Sequence, residues 1–148
     1  MINRYKNFKF IIFLFITINW VFVIFSFSLQ SGEVSGQLSG SIVSWIIKKI
    51  ESIVVFDFKL LEFLIRKAAH ITEFFILGIF VMITLMQIDV AKRYIWALTM
   101  CILVAISDET LQLFSFGRAG QISDVLLDSL SALVAIGIIY ICEKYKKM

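Results

Sequence analysis

Residues 10–27 read FIIFLFITINWVFVIFSF, a run of eighteen in which Thr17, Asn19 and Ser26 are the polar interruptions. A helix needs about 20 residues to cross the hydrocarbon core of a bilayer, so this run predicts a membrane span. The whole chain is 60% hydrophobic and has no proline, whereas a soluble domain is about 45–50% apolar. We therefore predict an integral membrane protein with a single helical domain over residues 1–148.

The same run has an alternative interpretation as a signal peptide. Basic residues precede it, and residues 26–28 read Ser-Phe-Ser, which resembles a small-residue cleavage site. However, the run is longer than the usual apolar region of about 7–15 residues, and Trp20 lies inside it. Retention as a first transmembrane helix, at about residues 10–28, is therefore the favoured interpretation.

Three more apolar stretches follow, at about residues 66–87, 94–114 and 122–142. They reach the length needed to span a bilayer only when their polar ends are included. The predicted fold class is therefore an all-α membrane protein with a four-transmembrane-helix bundle. The polar ends place several ionisable side chains inside the membrane boundary: His70, Glu73, Asp108, Glu109 and Asp128.

Residues 29–58 are predicted to form an outer loop and an interfacial amphipathic helix. In its first part, glycine recurs every four residues: Gly32, Gly36 and Gly40. In a helix these would line one face and allow close approach. Glycine weakens a helix by about 1 kcal/mol, however, which favours a loop or a frayed short helix for residues 31–40. Residues 41–56 have apolar side chains at helical spacing, with Trp45 as an interfacial anchor.

The distribution of charge predicts the orientation. Residues 1–9, 87–93 and 143–148 together carry eight basic and two acidic residues, and the rest of the chain carries six basic and nine acidic. Because cytoplasmic loops are enriched in Lys and Arg, both termini are predicted to be cytoplasmic. Every polar helix end then falls on the outer side of the membrane.

The polar residues recur at helical spacing. Arg66, His70 and Glu73 share one helix face; Asp108 and Gln112 share another, with Glu109 adjacent; Asp124 and Asp128 share a third, and Arg118 lies in the preceding turn. The candidate catalytic residues are His70, Glu73, Asp108 and Glu109. The candidate substrate-binding residues are Arg66, Lys67, Gln112, Arg118, Asp124 and Asp128.

One histidine among several carboxylates is compatible with an acid–base pair, a divalent-metal site or a neutralised packing network. No cofactor is identified beyond that divalent-metal alternative. Two adjacent unpaired carboxylates inside a membrane would be very costly, so we expect at least one of Asp108 and Glu109 to be paired with Arg118 or Arg66, or protonated.

Other features are less informative. Cys101 and Cys142 lie in apolar stretches without motif spacing and are interpreted as small buried hydrophobic residues. A net charge of +3 does not indicate a nucleic acid partner. The predicted partner is the lipid bilayer, and no oligomeric state is predicted.

The order of the polar residues resembles the VanZ-like family of small bacterial membrane proteins. The resembling segments are Phe27-Ser28-x-Gln30-Ser31-Gly32, Arg66-Lys67-x-x-His70-x-x-Glu73-Phe74, Asp108-Glu109-x-x-Gln112, Arg118, and Asp124-x-x-x-Asp128. The resemblance covers about residues 10–140. The family usually has asparagine where this chain has Asp128, and glycines where it has Leu130 and Ser131.

The resemblance implies a multi-pass protein of the bacterial cytoplasmic membrane. The founding member of the family lies in a glycopeptide-resistance cluster and confers low-level resistance to teicoplanin, a lipid-tailed glycopeptide. An outward-facing polar site in the outer leaflet would suit a lipid headgroup, a lipid-linked wall precursor or the membrane-anchored part of such a lipoglycopeptide.

Three functions are therefore open. One is a protein that modifies the cell envelope or reduces sensitivity to teicoplanin. Another is an intramembrane hydrolase or transferase that acts on a lipid headgroup or wall precursor. The third is a structural polar network in a small transport or accessory protein, although polar groups confined to one leaflet argue against a continuous transport pathway.

Overall fold

The computed structural model describes residues 2–50 and 57–146, and all of its regular secondary structure is helical. The five helices are α1 (Ile2–Ser28), α2 (Gly32–Ile50), α3 (Phe58–Leu85), α4 (Arg93–Gln112) and α5 (Ile122–Lys146). Four of them are long and apolar enough to cross a membrane: Tyr5–Ser28 within α1, α3, α4 and α5. The predicted all-α membrane fold with four spans is confirmed.

α3 is the central helix, because it contacts each of the other four helices. It begins at Phe58, whereas the apolar pattern placed the start of this span near residue 66. The side chain of Asp57 caps α3 by accepting a hydrogen bond from the backbone N–H of Lys59 at 2.9 Å. Such a cap satisfies an N–H group that the first helical turn leaves free, so the helix starts well before the apolar run.

The glycine-rich segment after α1 is helical, so the predicted loop over residues 31–40 is wrong. The backbone N–H of Gly32 donates to the carbonyl of Phe116 at 2.9 Å, and a Cβ atom on Gly32 would collide with the carbonyl oxygen of Gly117. The missing side chain permits this close contact, which offsets the low helix propensity of glycine. The predicted amphipathic helix coincides with the second half of α2, and its residues 51–56 lie outside the described residues.

Small residues allow the spanning helices to pack closely. A Cβ atom on Gly78 of α3 would lie 2.9 Å from the carbonyl oxygen of Ala132 on α5. The buried apolar core includes Ile24, Phe74, Leu77, Val81, Met82, Leu85, Ala97, Cys101, Ala105, Ala132 and Ile136. Small residues between helices, such as Gly78 and Ala132, are typical of membrane helix bundles, where close van der Waals contact stabilises helix association.

α1 is an integral part of the bundle. The hydroxyls of Thr17 and Thr84 are 2.9 Å apart, and the indole N–H of Trp20 donates to the carbonyl of Glu73 at 2.9 Å. Ile24 is fully buried in the core. These contacts tie α1 to α3.

The end of the bundle where α4 begins and α5 finishes has its own polar contacts. The guanidinium of Arg93 donates to both carboxylate oxygens of Glu143 at 3.0 Å, and the hydroxyl of Tyr94 donates to the same group. Cys101 is buried as predicted, but Cys142 is exposed. α5 turns Glu143 toward α4, and this leaves the neighbouring Cys142 on the outer surface.

Candidate functional site

Polar side chains from three helices meet at the opposite end of the bundle. His70 lies on α3, Asp108 and Glu109 on α4, and Asp128 on α5; one nitrogen or oxygen atom of each lies within 4.8 Å of those of the other three. These four residues are called the carboxylate–histidine cluster below. The cluster thus contains at least one member of each of the three predicted polar groups, and helical spacing accounts for these residues facing the same interior region.

Asp108 is fully buried and is held by two neutral donors. The hydroxyl of Ser28, the last residue of α1, donates to its Oδ1 at 2.5 Å. The side-chain amide of Gln112, one helical turn further along α4, donates to its Oδ2 at 3.2 Å. Both carboxylate oxygens therefore have a partner, and the cluster is joined to α1.

Glu109 is also buried and is held from two directions. The Nε2 of Gln112 donates to its Oε1 at 3.1 Å, and the backbone N–H of Gln121 donates to its Oε2 at 2.8 Å. Gln112 thus bridges the two adjacent acids of α4. The Gln121 contact fixes the start of α5 against the end of α4.

The expected ion pairs between these acids and Arg66 or Arg118 are absent among residues 2–50 and 57–146. The ion pairs found there join Lys67 to Asp124, His70 to Asp128, and Arg93 to Glu143. Neutral N–H and O–H groups occupy the positions beside Asp108 and Glu109 that the arginines were predicted to take.

Asp128 is fully buried, and its two oxygens have different surroundings. Oδ2 lies 3.3 Å from Nδ1 of His70. Oδ1 is the one buried side-chain polar atom in the described part of the chain that has no hydrogen-bond partner. Buried polar atoms are rarely left without a partner, so this oxygen needs an explanation.

A second contact between α3 and α5 lies one turn away from the cluster. The ammonium of Lys67 forms an ion pair with Asp124, which also accepts a weak contact from the hydroxyl of Ser123 at 3.4 Å. The spacing of Lys67 to His70 and of Asp124 to Asp128 places these two pairs side by side between the same helices.

A cavity of about 520 Å³ lies beside the cluster, between α2, α3 and the segment that links α4 to α5. Its polar lining includes Gln30, Arg66, Lys67, His70, Glu73, Gln112, Arg118 and Asp124. Its apolar lining includes Phe27, Leu38, Ile42, Phe63 and Ile65. His70 belongs to both the cluster and the cavity wall, so the cluster adjoins the cavity.

Arg66 and Arg118 give the cavity a positively charged edge. Arg118 lies in the link between α4 and α5, directly after Gly117, whose φ of +74° favours glycine. Burial lowers the pKa of the Arg118 guanidinium; the positive charge of Arg66 adds to this lowering, while Asp108, Glu109 and Glu73 oppose it. An arginine stays charged at neutral pH nonetheless, so two like charges face the same cavity.

Glu73 stands apart from the other candidate catalytic residues. It is half-buried and lines the cavity, but it is not among the residues whose ligand atoms meet in the cluster. The structure therefore separates the predicted set of four catalytic candidates: His70, Asp108 and Glu109 meet with Asp128, and Glu73 faces the cavity beside them.

Two contacts of the cluster were not predicted. Ser28 holds Asp108, and its place in the motif that ends α1 was the available signal. The backbone N–H of Gln121 holds Glu109, and a backbone donor leaves no signal in residue identity.

One of the comparisons with known proteins gives a match that covers the whole of this region. A family model described as VanZ/LLP1 matches residues 13–143. No curated protein and no solved structure matches the chain. The matched range includes every residue that contributes a side chain to the cluster or to the cavity.

Proposed function

Because the chain belongs to the VanZ/LLP1 family and has four candidate membrane spans, we propose that it is a membrane protein whose cavity binds the anionic head of a lipid-anchored molecule. Phospholipids and lipid-linked wall precursors share this chemistry of a negative head on an apolar tail. Binding of the membrane-anchored part of a lipid-tailed glycopeptide such as teicoplanin would connect the same cavity to drug sensitivity.

The observation that carries the proposal is the pair of arginines at the cavity. Neither Arg66 nor Arg118 forms an ion pair within the described residues, although both line the cavity. A guanidinium donates two parallel hydrogen bonds to a phosphate or carboxylate. An anionic head would therefore find donors that no acidic side chain among residues 2–50 and 57–146 pairs with.

The apolar part of the cavity lining suits an apolar tail. Leu38, Ile42 and Phe63 line it, and their side chains are 51%, 48% and 46% exposed. Exposed apolar groups beside fixed polar groups are typical of sites that bind an amphiphilic ligand. The positive-inside prediction places this cavity in the outer leaflet, where such molecules are reached from the cell surface.

Lipid binding by the purified protein tests the proposal. We expect a preference for phosphatidylglycerol over phosphatidylcholine in native mass spectrometry, and about a tenfold loss of that affinity for Arg118→Gln, since one charged hydrogen-bonding group is removed. The matched control is Lys59→Gln, an exposed cation at the start of α3 that does not line the cavity. Equal affinity for both lipids, or an unchanged affinity in Arg118→Gln, would contradict headgroup binding.

Susceptibility measurements test the link to the envelope. Expression in a susceptible bacterium should raise the inhibitory concentration of teicoplanin more than that of vancomycin, and Arg118→Gln should abolish the difference. A lipid-linked pyrophosphate and teicoplanin, added as separate ligands to the purified protein, distinguish a precursor from the drug itself. If the inhibitory concentration of neither drug changes when the protein is expressed or when its gene is deleted, the protein has no part in resistance.

A second candidate function is hydrolysis or group transfer at the bound head. It is favoured by the position of His70, which adjoins the cavity and contacts the buried Asp128. A carboxylate that orients an imidazole is a recurring feature of acid–base sites. Polar lipids and lipid-linked precursors would be assayed for turnover with Mg²⁺, Mn²⁺ or Zn²⁺. Turnover that survives both His70→Ala and Glu109→Gln would exclude catalysis by the cluster.

A further inference from the structure

We infer that the carboxylate–histidine cluster binds a divalent transition-metal cation through His70, Asp108, Glu109 and Asp128. The inference goes beyond headgroup binding and does not rest on it, because Arg66 and Arg118 are not among the four residues.

The balance of charge in the cluster favours a bound cation. Asp108, Glu109 and Asp128 are 0%, 5% and 0% exposed. His70 is the one basic side chain that forms an ion pair with any of them among residues 2–50 and 57–146. Isolated carboxylates in an apolar interior are strongly disfavoured. A bound dication would neutralise two of the three negative charges at once.

One oxygen atom of Asp128 favours a bound cation independently of the acidic character of the cluster. Asp128 is completely buried, its Oδ2 contacts His70 inside the cluster, and its Oδ1 has no hydrogen-bond partner in the described part of the chain. Donors satisfy both oxygens of Asp108 and of Glu109. A cation is the kind of partner that completes the coordination of an oxygen left in this way.

The geometry is close to that of a metal site. The four candidate ligand atoms lie within 4.8 Å of one another. In a tetrahedral site, bonds of about 2.0–2.2 Å place the ligand atoms about 3.3–3.6 Å apart, so the most widely separated atoms would approach one another by up to about 1.5 Å when a metal binds. Each helix contributes a ligand from its packed face, and α3, α4 and α5 hold the set in place.

The surrounding contacts are those that hold metal ligands in position. Ser28 and Gln112 donate to Asp108, and the backbone of Gln121 donates to Glu109. Hydrogen bonds of this kind fix the orientation of ligating carboxylates and contribute to metal affinity. His70 and Gln112 also line the cavity, which gives an ion a polar route into the cluster.

The donor set indicates the class of metal. An imidazole with carboxylates suits Zn²⁺ or Mn²⁺, whereas Mg²⁺ and Ca²⁺ prefer sites made of oxygen alone.

Metal analysis of purified protein tests the inference. Protein stripped with chelator, loaded with Zn²⁺ or Mn²⁺ and passed through a desalting column should retain about one equivalent of either ion by mass spectrometry of the metal. Asp128→Asn should reduce retention at least tenfold, since it removes a charged ligand. Asp124→Asn is the matched control, with the same substitution one turn earlier on α5 and outside the cluster.

Three controls keep the result interpretable. Arg118→Gln should retain metal as the wild type does, which separates this site from headgroup binding. Circular dichroism of the helical signal and gel filtration identify any variant that fails to fold. If Asp128→Asn fails to fold, Glu109→Gln is a second variant that removes one charged ligand. Zn²⁺ should also raise the thermal unfolding midpoint of the wild type but not of Asp128→Asn. A wild type without bound metal, or an Asp128→Asn protein that retains as much as the wild type, would overturn the inference.

Discussion

Ser28 is the residue that joins α1 to the carboxylate–histidine cluster. Its hydroxyl donates to Oδ1 of Asp108 at 2.5 Å, while its carbonyl accepts from Ser115. Ser28→Ala removes the first contact and leaves the second, so a buried carboxylate oxygen loses its donor. We expect the free energy of unfolding to fall by about 1–2 kcal/mol, measured by reversible unfolding in mixed micelles.

Ser26→Ala is the control for this substitution. Ser26 lies on the same helix, is exposed, and donates to the carbonyl of Phe22 within its own helix. We expect a change below about 0.5 kcal/mol, as for most surface substitutions. If the two alanine variants are equally stable, the contact between Ser28 and Asp108 does not stabilise the bundle.

At the same scale, spacing predicted some partners and not others. His70 and Asp128 could be brought together from the sequence because each lies on the polar face of an apolar helix. The partners of Asp108 and Glu109 could not, because charge pairing favoured Arg66 and Arg118 over neutral donors. Ser28 and Gln121 come from distant parts of the chain, and their contacts depend on where α1 ends and where α5 begins.

At the scale of the helices, Gly78 sets the distance between α3 and α5. Gly78→Ala would place its Cβ atom 2.9 Å from the carbonyl oxygen and 3.1 Å from the Cα of Ala132, both backbone atoms that cannot rotate away. The helices would have to separate, and overpacking of this kind costs about 1–3 kcal/mol. We expect the unfolding free energy to fall by this amount, and metal retention by the cluster between these helices to weaken with it.

Gly137→Ala on α5 is the matched control, since a Cβ atom there meets nothing within 4 Å. Alanine favours a helix over glycine by about 0.5–1 kcal/mol, so this variant should be as stable as the wild type or slightly more stable. Equal destabilisation by both substitutions would show that backbone propensity, and not the contact with Ala132, determines the effect.

The positions of the helices could be predicted from the sequence where a long apolar run marks the membrane span. α4 and α5 begin within a residue of their predicted starts, at Arg93 and Ile122. The helical structure of residues 32–40 was not predicted, because the low helix propensity of glycine argued for a loop. The contact of Gly32 with the backbone at Phe116 and Gly117 depends on the tertiary fold, which helix propensity does not describe. The early start of α3 follows from the cap at Asp57 rather than from hydropathy.

At the scale of the whole molecule, polar groups are divided between the two ends of the bundle. The cluster and cavity lie where α1 and α4 finish and α3 and α5 begin. The contacts of Arg93 and Tyr94 with Glu143 lie at the other end, and apolar core residues separate them. This separation fits a binding site entered from one leaflet better than a path across the membrane.

The orientation of the bundle determines which leaflet that is. The excess of basic residues in segments 1–9, 87–93 and 143–148 predicts that these face the cytoplasm. Cysteines introduced one at a time at exposed positions test this: Ser41→Cys on α2 and Ala91→Cys between α3 and α4, both in a chain with Cys142→Ser that keeps the buried Cys101. A maleimide that cannot cross membranes should label Ser41→Cys in intact cells, and Ala91→Cys only after permeabilisation. The reverse pattern would place the cavity on the cytoplasmic side, where it could not meet a ligand at the cell surface.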